Sequence, residues 1–434
     1  MAKEIIYNAH IITMDADLNI YPKGSILIED GKIRKISSDK LNDADALYTD
    51  AEGKFLIPGL INAHCHIPMT ILKGFADDLP LQKWLTEYIF PAEAKYITPE
   101  NVRIATRLGM LEMIKSGTTC FNDMYFFEDV IGQEAKKAGM RAVLGEAIMD
   151  FPTPSFQTVD QGLALSQELQ IKWGNDPIIH PSFAPHAPYT CSEATLKRTK
   201  ACADKYNSLL HIHLSETQKE VEDVMHQTGK TPVEYLNSIG LLGPTTMAAH
   251  CVWLSDNDIK LMARTGTSAC HCPKSNLKLA SGIANIFKYA EAGVNVAMGT
   301  DGSASNNNLD LVEETRIASL LSKVVNNNPE ALNAHQALMN VTTNGAKALG
   351  LHQLTGTIEI GKDADLILID TQNTNMMPIY DEYSAIVYAM NSSNVCDSMV
   401  HGQWIMKDRK VLFIDEEDTL DRINFIAKEI KENR

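Results

Sequence analysis

Two histidines separated by one residue, in Ala63-His64-Cys65-His66, are the first feature of the 434-residue sequence able to do chemistry. Residues two apart on an extended strand point to one face, so both imidazoles are offered to the same point in space. Two neutral imidazoles there invite a divalent transition metal. An H-x-H pair alone describes equally well two hydrogen-bonded histidines near a strand end. The balance shifts because His213-Leu214-Ser215-Glu216, Ala249-His250 and Gly299-Thr300-Asp301-Gly302 each close a short apolar run in the same way. Together they add a third imidazole and a carboxylate to one centre, which predicts a metal site. A catalytic zinc keeps one position for water and lowers its pKa to roughly 7, so the expected chemistry is hydrolysis by hydroxide. Glu216 lies three residues past His213, close enough to stand beside the metal without ligating it, and is predicted to transfer protons.

Such convergence needs elements that bring distant strand ends together. Between about residues 56 and 350, short apolar β-branched runs alternate with longer amphipathic stretches. Eight runs read as strands: 55–64, 118–124, 141–149, 178–185, 208–214, 246–254, 267–272 and 294–299. Helix-like stretches at 101–115 and 129–137 stop before Gly117 and Gly139. This is the count of a (β/α)8 TIM barrel, whose active site is built at the C-terminal ends of its strands. A doubly wound open sheet would be expected to carry a Gly-rich phosphate turn after its first strand, and none is present. Outside the barrel, residues 25–36 alternate around Asp30-Gly31, while 364–369 and 398–406 repeat the pattern, the latter around His401-Gly402. Neither end alone can bury a sheet face, which predicts one small β-sandwich assembled from both termini. The expected domains are 1–57 and 355–434 for that sandwich and a C-terminal helix, with the barrel at 58–354.

Other residues receive plainer readings. His211 is expected to fill the barrel core, and His271 to stand behind the centre rather than ligate. His10, His226, His335, His352 and His401 fall outside the strand ends. The P-C-x-x-C half of cytidine-type deaminases and the H-E-x-x-H helix of metalloproteases are both absent. Lys and Arg number 39 against 55 Asp and Glu, a formal charge of −16 that repels phosphate backbones and argues against a nucleic-acid polymer as partner. No stretch approaches the ~18 consecutive apolar residues of a membrane span. No apolar leader follows Met1, so cytoplasmic residence is expected. Cys65, Cys251, Cys270 and Cys272 then read as reduced thiols buried as small hydrophobes. The expected partner is a small molecule, with self-association into a homo-oligomer left open.

Taken together, Pro58-Gly59-Leu60-Ile61-Asn62-Ala63-His64-Cys65-His66, His213-Leu214-Ser215-Glu216-Thr217, His271-Cys272-Pro273-Lys274-Ser275-Asn276 and Gly299-Thr300-Asp301-Gly302 resemble the amidohydrolase superfamily. The similarity is to its branch of deaminases acting on S-adenosylhomocysteine and 5′-methylthioadenosine. That resemblance implies that His64, His66, His213 and Asp301 hold one zinc or similar divalent ion. It implies further that Asp301 takes a proton from the attacking water, that Glu216 protonates the purine ring and that His250 orients water or oxyanion. The two-metal variant needs a lysine at the end of the fourth strand, and 178–186 has none. The segment from Trp84 to Ala94 resembles the family's lid, which implies that Glu93 binds ribose hydroxyls, that His186 contacts the nucleoside and that Trp84 covers the base. Many S-adenosylhomocysteine deaminases carry an arginine near the end of the third strand; here Glu146 stands in Gly145-Glu146-Ala147, which favours a smaller 5′ substituent. The same centre could serve a ring without ribose, such as guanine or an s-triazine. A non-catalytic scaffold would be expected to have lost ligands, and every position is filled.

Overall fold

In the computed structural model, which describes residues 3–433, the eight apolar runs become the staves of a parallel barrel. The first four staves, Leu60–His66, Thr118–Tyr125, Arg141–Ile148 and the pair Ile179–Pro181 with Ala184–Pro185, lie side by side in that order. The next four, Leu210–Leu214, Thr246–His250, Ser268–His271 and Val296–Met298, form a second parallel set. A bridge between Phe183 and Leu210 joins the sets on one side. On the other, Asp301 and Gly302 pair with Cys65 and His66 and close the ring.

The staves differ from the predicted runs for local reasons. The run at 55–64 splits at Gly59: Phe55–Pro58 belongs to the terminal sheet and Leu60–His66 to the barrel. A Cβ on Gly59 would lie 2.0 Å from the Thr119 hydroxyl, so only glycine lets the chain cross there. The fourth stave is broken because Pro181 and Pro185 lack the N–H a ladder requires. The sixth ends early, where His250 and Cys251 turn through positive φ (70° and 49°). The eighth bends at Gly299, whose missing Cβ would sit 2.7–2.8 Å from the backbone and Cβ of His64. That close approach lets Asp301 reach the first stave.

Both termini contribute to one unit, as the alternating patterns predicted, and its hydrogen bonding runs continuously through nine strands. Lys3–Ile12 pairs with Ile20–Glu29 and with Ala46–Asp50, and Phe55–Pro58 pairs antiparallel with Leu366–Ile369, which joins the two ends. Ile6, Ile11, Ile26, Ile28, Leu56, Leu366, Leu368 and Met399 form its separate core. The Glu416–Glu432 helix departs from the expected grouping, because it leaves this sheet and buries Ile426 and Ile430 in the core shared with the barrel, beside the Pro99–Lys115 helix.

Arg141 ties barrel to sheet. Its buried guanidinium donates to both oxygens of Asp365 (2.7 and 3.1 Å), to Asp363 (2.8 Å) and to the Pro177 carbonyl. All eight cysteines are free thiols. Among the described residues no helix is long and apolar enough to cross a membrane.

Candidate active site

Four imidazoles and a carboxylate meet at the C-terminal mouth of the barrel. His64 and His66 come from the first stave, His213 from the fifth, His250 from the sixth and Asp301 from the eighth. Candidate ligand atoms of His64, His66 and Asp301 lie within 4.8 Å of one another, and so do those of His64, His213 and His250. The Nδ1 of His66 is 2.6 Å from the Met124 carbonyl and that of His213 is 2.8 Å from the His186 carbonyl, so each donates its N–H to backbone. Their Nε2 atoms are thereby left facing each other at 3.3 Å. The His64 ring is held through Nδ1 by His211 at 2.8 Å, and its buried Nε2 has no hydrogen-bond partner. Lone pairs converging on one point beside a carboxylate fit a divalent cation.

The electrostatics agree. Burial drives His64 down to about 3 and His213 well below its ordinary value, so both are neutral and ready to ligate. Burial pulls His66 the same way, but the hydrogen bond and charge of Asp301 overcome it and lift the ring to about 9. A proton on His66 occupies the position a cation would take.

Asp301 sits at positive φ (60°) and is fixed at both oxygens. Oδ1 accepts the Gly302 N–H at 2.8 Å and lies 3.2 Å from His66 Nε2 and 3.5 Å from His64 Nε2. Oδ2 accepts from the hydroxyls of Ser275 and Ser305. Asn62 clips Thr300 from both sides, its amide donating to the Thr300 hydroxyl and its carbonyl accepting the Thr300 N–H, which locks the eighth stave to the first.

Glu216 and His250 also line the cavity. Glu216 is placed by the turn at Ser215 (φ 51°), whose N–H and that of Glu216 are both held by the Glu220 carboxylate at 2.8 Å. Burial and the Asp301 charge raise the Glu216 carboxyl above its ordinary range against the pull of His250. His250 donates Nδ1–H to Asn276 at 2.9 Å and turns Nε2 toward Glu216, 3.8 Å away.

Above this floor opens a cavity lined by Trp84, Glu93, Tyr125, His186, Glu216 and Asp301 among others. Glu93 is buried on the Phe90–Tyr96 helix and accepts the Tyr125 hydroxyl at 2.7 Å; burial lifts it to about 7. The Trp84 indole N–H has no partner among the described residues. His186 donates to, or accepts from, Thr190 at 2.9 Å. Glu146 does not reach the cavity: its carboxylate accepts the backbone N–H groups of Phe127 and Glu128 and the Ser155 hydroxyl. Ala147 and Met149 face the cavity instead, and a second cavity, walled by Phe90, Phe126, Met149 and Phe151 together with Glu93, Thr153 and Gln157, adjoins it.

Eight residues named from the sequence, Trp84 among them, line the cavity, and His64 packs against His66 and His213 without lining it. His211 is buried, as expected of a core residue, but touches His64. His271 lies outside the lining. Tyr125, Asn276, Glu220 and the two serines were missed as participants, although Ser275 and Asn276 stand inside a quoted motif.

A family model described as Amidohydrolase family matches residues 55–405, and the chain belongs to that family. It is 43% identical over 99% of its length to the whole of a 5-methylthioadenosine/S-adenosylhomocysteine deaminase of Thermodesulfovibrio yellowstonii. It is 42% identical, over 99% of both chains, to a 5′-deoxyadenosine deaminase of Methanosarcina acetivorans. Among solved structures, an adenosine deaminase from Xanthomonas campestris with bound zinc superposes with a TM-score of 0.95 at 37% identity, over 99% of this chain and 98% of that one.

Proposed function

We propose that this protein is a metal-dependent hydrolase that removes the amino group of adenine in an adenosine whose 5′ position carries a small uncharged group, releasing ammonia. The observation that carries the reading is that Glu216, Asp301 and Glu93 line one cavity together with His66, His213 and His250. His64, His66, His213 and Asp301 are the residues that would hold one zinc ion. When bound, the ion supplies a hydroxide nucleophile at neutral pH.

The chain's own groups do the rest. Glu216, whose hold on a proton is strengthened by burial, donates to the ring nitrogen beside the amino-bearing carbon and makes that carbon more electrophilic. Asp301 accepts the proton lost by the attacking water. His250, its Nδ1–H held by Asn276, presents Nε2 to the oxygen that adds. Glu93 accepts the ribose hydroxyls, His186 contacts the nucleoside, and the unpaired Trp84 N–H is a donor for the bound nucleoside.

The apolar wall of Phe90, Phe126, Ala147 and Met149 supports a 5′-methylthio or 5′-deoxy group over an aminocarboxylate tail. No lysine or arginine lines either cavity among the described residues, and a carboxylate buried without a partner is costly. The test is ammonia release by zinc-loaded protein from 5′-methylthioadenosine, 5′-deoxyadenosine, adenosine, S-adenosylhomocysteine and guanine side by side. Turnover of the first two ahead of S-adenosylhomocysteine supports the reading. Consumption of guanine alone would overturn the roles given to Glu93 and the 5′ wall.

A further inference from the structure

The Pro273–Lys278 helix starts directly after the seventh stave and brings Ser275 against Asp301. Its Oγ is 2.5 Å from Asp301 Oδ2, and the Oγ of Ser305, from the Ser303–Asn306 turn, is 2.9 Å from the same oxygen. The two hydroxyls are 3.0 Å apart, and Ser305 Oγ is also 3.1 Å from the Gly302 carbonyl. Both serines are buried. Neither reaches the cavity lining, so neither touches substrate.

We infer that Ser275 and Ser305 are positioning residues for Asp301, holding Oδ2 so that Oδ1 is the oxygen left to a bound cation. The inference rests on Asp301 being a ligand, as proposed above. A carboxylate oxygen has two in-plane lone pairs. With both serines donating, those of Oδ2 are filled, and rotation of the carboxylate to offer both oxygens would strand two buried hydroxyls.

The test compares wild type with Ser275→Ala, Ser305→Ala, the double variant and Ser275→Thr, each loaded with cobalt(II) and then with zinc. Each serine-to-alanine change removes only one oxygen, so the single variants are expected to fold even if the double variant is less stable. The visible bands of cobalt(II) report coordination number without any substrate. Expected are one cobalt per chain throughout, weaker and shifted bands in the alanine variants, and the wild-type spectrum in Ser275→Thr. With zinc, kcat falls about tenfold or more in each alanine variant, as expected for a lost hydrogen bond to a charged group, while KM stays within about threefold. Superimposable cobalt spectra would overturn the inference, whatever the activity. So would a kcat within about twofold of wild type, or a loss that tracks missing metal. If no adenosine is turned over by wild type, the deaminase reading fails while the spectra still decide this one.

Discussion

His66 and His213 face each other Nε2 to Nε2 at 3.3 Å, each with its Nδ1–H committed to a backbone carbonyl. Without a cation the pair is relieved by a proton on His66, which Asp301 holds up to about 9. Metal binding at neutral pH must therefore release a proton from His66. Calorimetric titration of metal-free protein with zinc in buffers of differing ionisation enthalpy should show about one proton released per ion. The same ligation joins staves one, five and eight. At a thousandfold excess over Kd a ligand stabilises by about 4 kcal/mol, so chelation should lower Tm, and an unchanged Tm would contradict the site.

Tyr125 and Glu93 are hydrogen-bonded to each other in the cavity wall. Replacing Glu93 by Gln keeps the shape but removes the charge, and hydrogen bonds to charged groups contribute about 1.5–3 kcal/mol. We expect kcat/KM for 5′-methylthioadenosine to drop roughly tenfold to a hundredfold, with any residual action on free adenine unaffected. Tyr125→Phe leaves the carboxylate in place and should cost less, about threefold. Equal losses on nucleoside and free base would remove the ribose role from Glu93.

The clamp between barrel and terminal sheet gives a pH dependence of defined sign. Burial alone would raise the Asp363 carboxyl, but His401, Lys32 and Arg141 hold it well below the usual carboxylate range. A depressed folded-state value contributes stability that is present above the unfolded value of about 4 and is lost as pH falls below it. Asp363→Asn should therefore be less stable than wild type at pH 7, with the gap narrowing below about pH 4. Urea midpoints measured across that range check this, and a gap that stays constant into acid would count against it.

The 5′ wall offers a change of preference. Met149 lines both cavities and is buried. Met149→Arg places a cation where the tail of S-adenosylhomocysteine would lie, and a charge-assisted pair there should raise the ratio of kcat/KM for that substrate over 5′-methylthioadenosine by about tenfold or more. Arginine at Glu146 should not have this effect, because that side chain holds the backbone of Phe127 and Glu128 instead of facing substrate. A Met149→Arg enzyme with unaltered preference would place the 5′ group elsewhere.

The residues that converge were legible because strand ends leave a signature, an ionisable residue closing an apolar run. His64, His66, His213, His250 and Asp301 were found that way. Resemblance then supplied Glu93, which sits on a helix where no such signature exists, and gave His186, which directly follows the fourth run, its contact with the nucleoside. Hydrogen bonds between distant segments were illegible. Nothing in the spacing tells that Ser305 reaches back to Asp301 while Asn276 reaches His250, or that Glu146 points away from the cavity. Strand boundaries failed where one residue decides them: Gly59 at the crossing into the barrel, Pro181 and Pro185 in the fourth stave, and the left-handed turn at His250.

The most direct measurement is turnover of 5′-methylthioadenosine by zinc-loaded and chelated protein in heavy-oxygen water, followed by mass spectrometry of the nucleoside product. The account predicts one heavy oxygen at the former amino carbon, one ammonia per product, and no product after chelation. An intact purine amino group with a cleaved glycosidic or thioether bond, or full activity without metal, would contradict it.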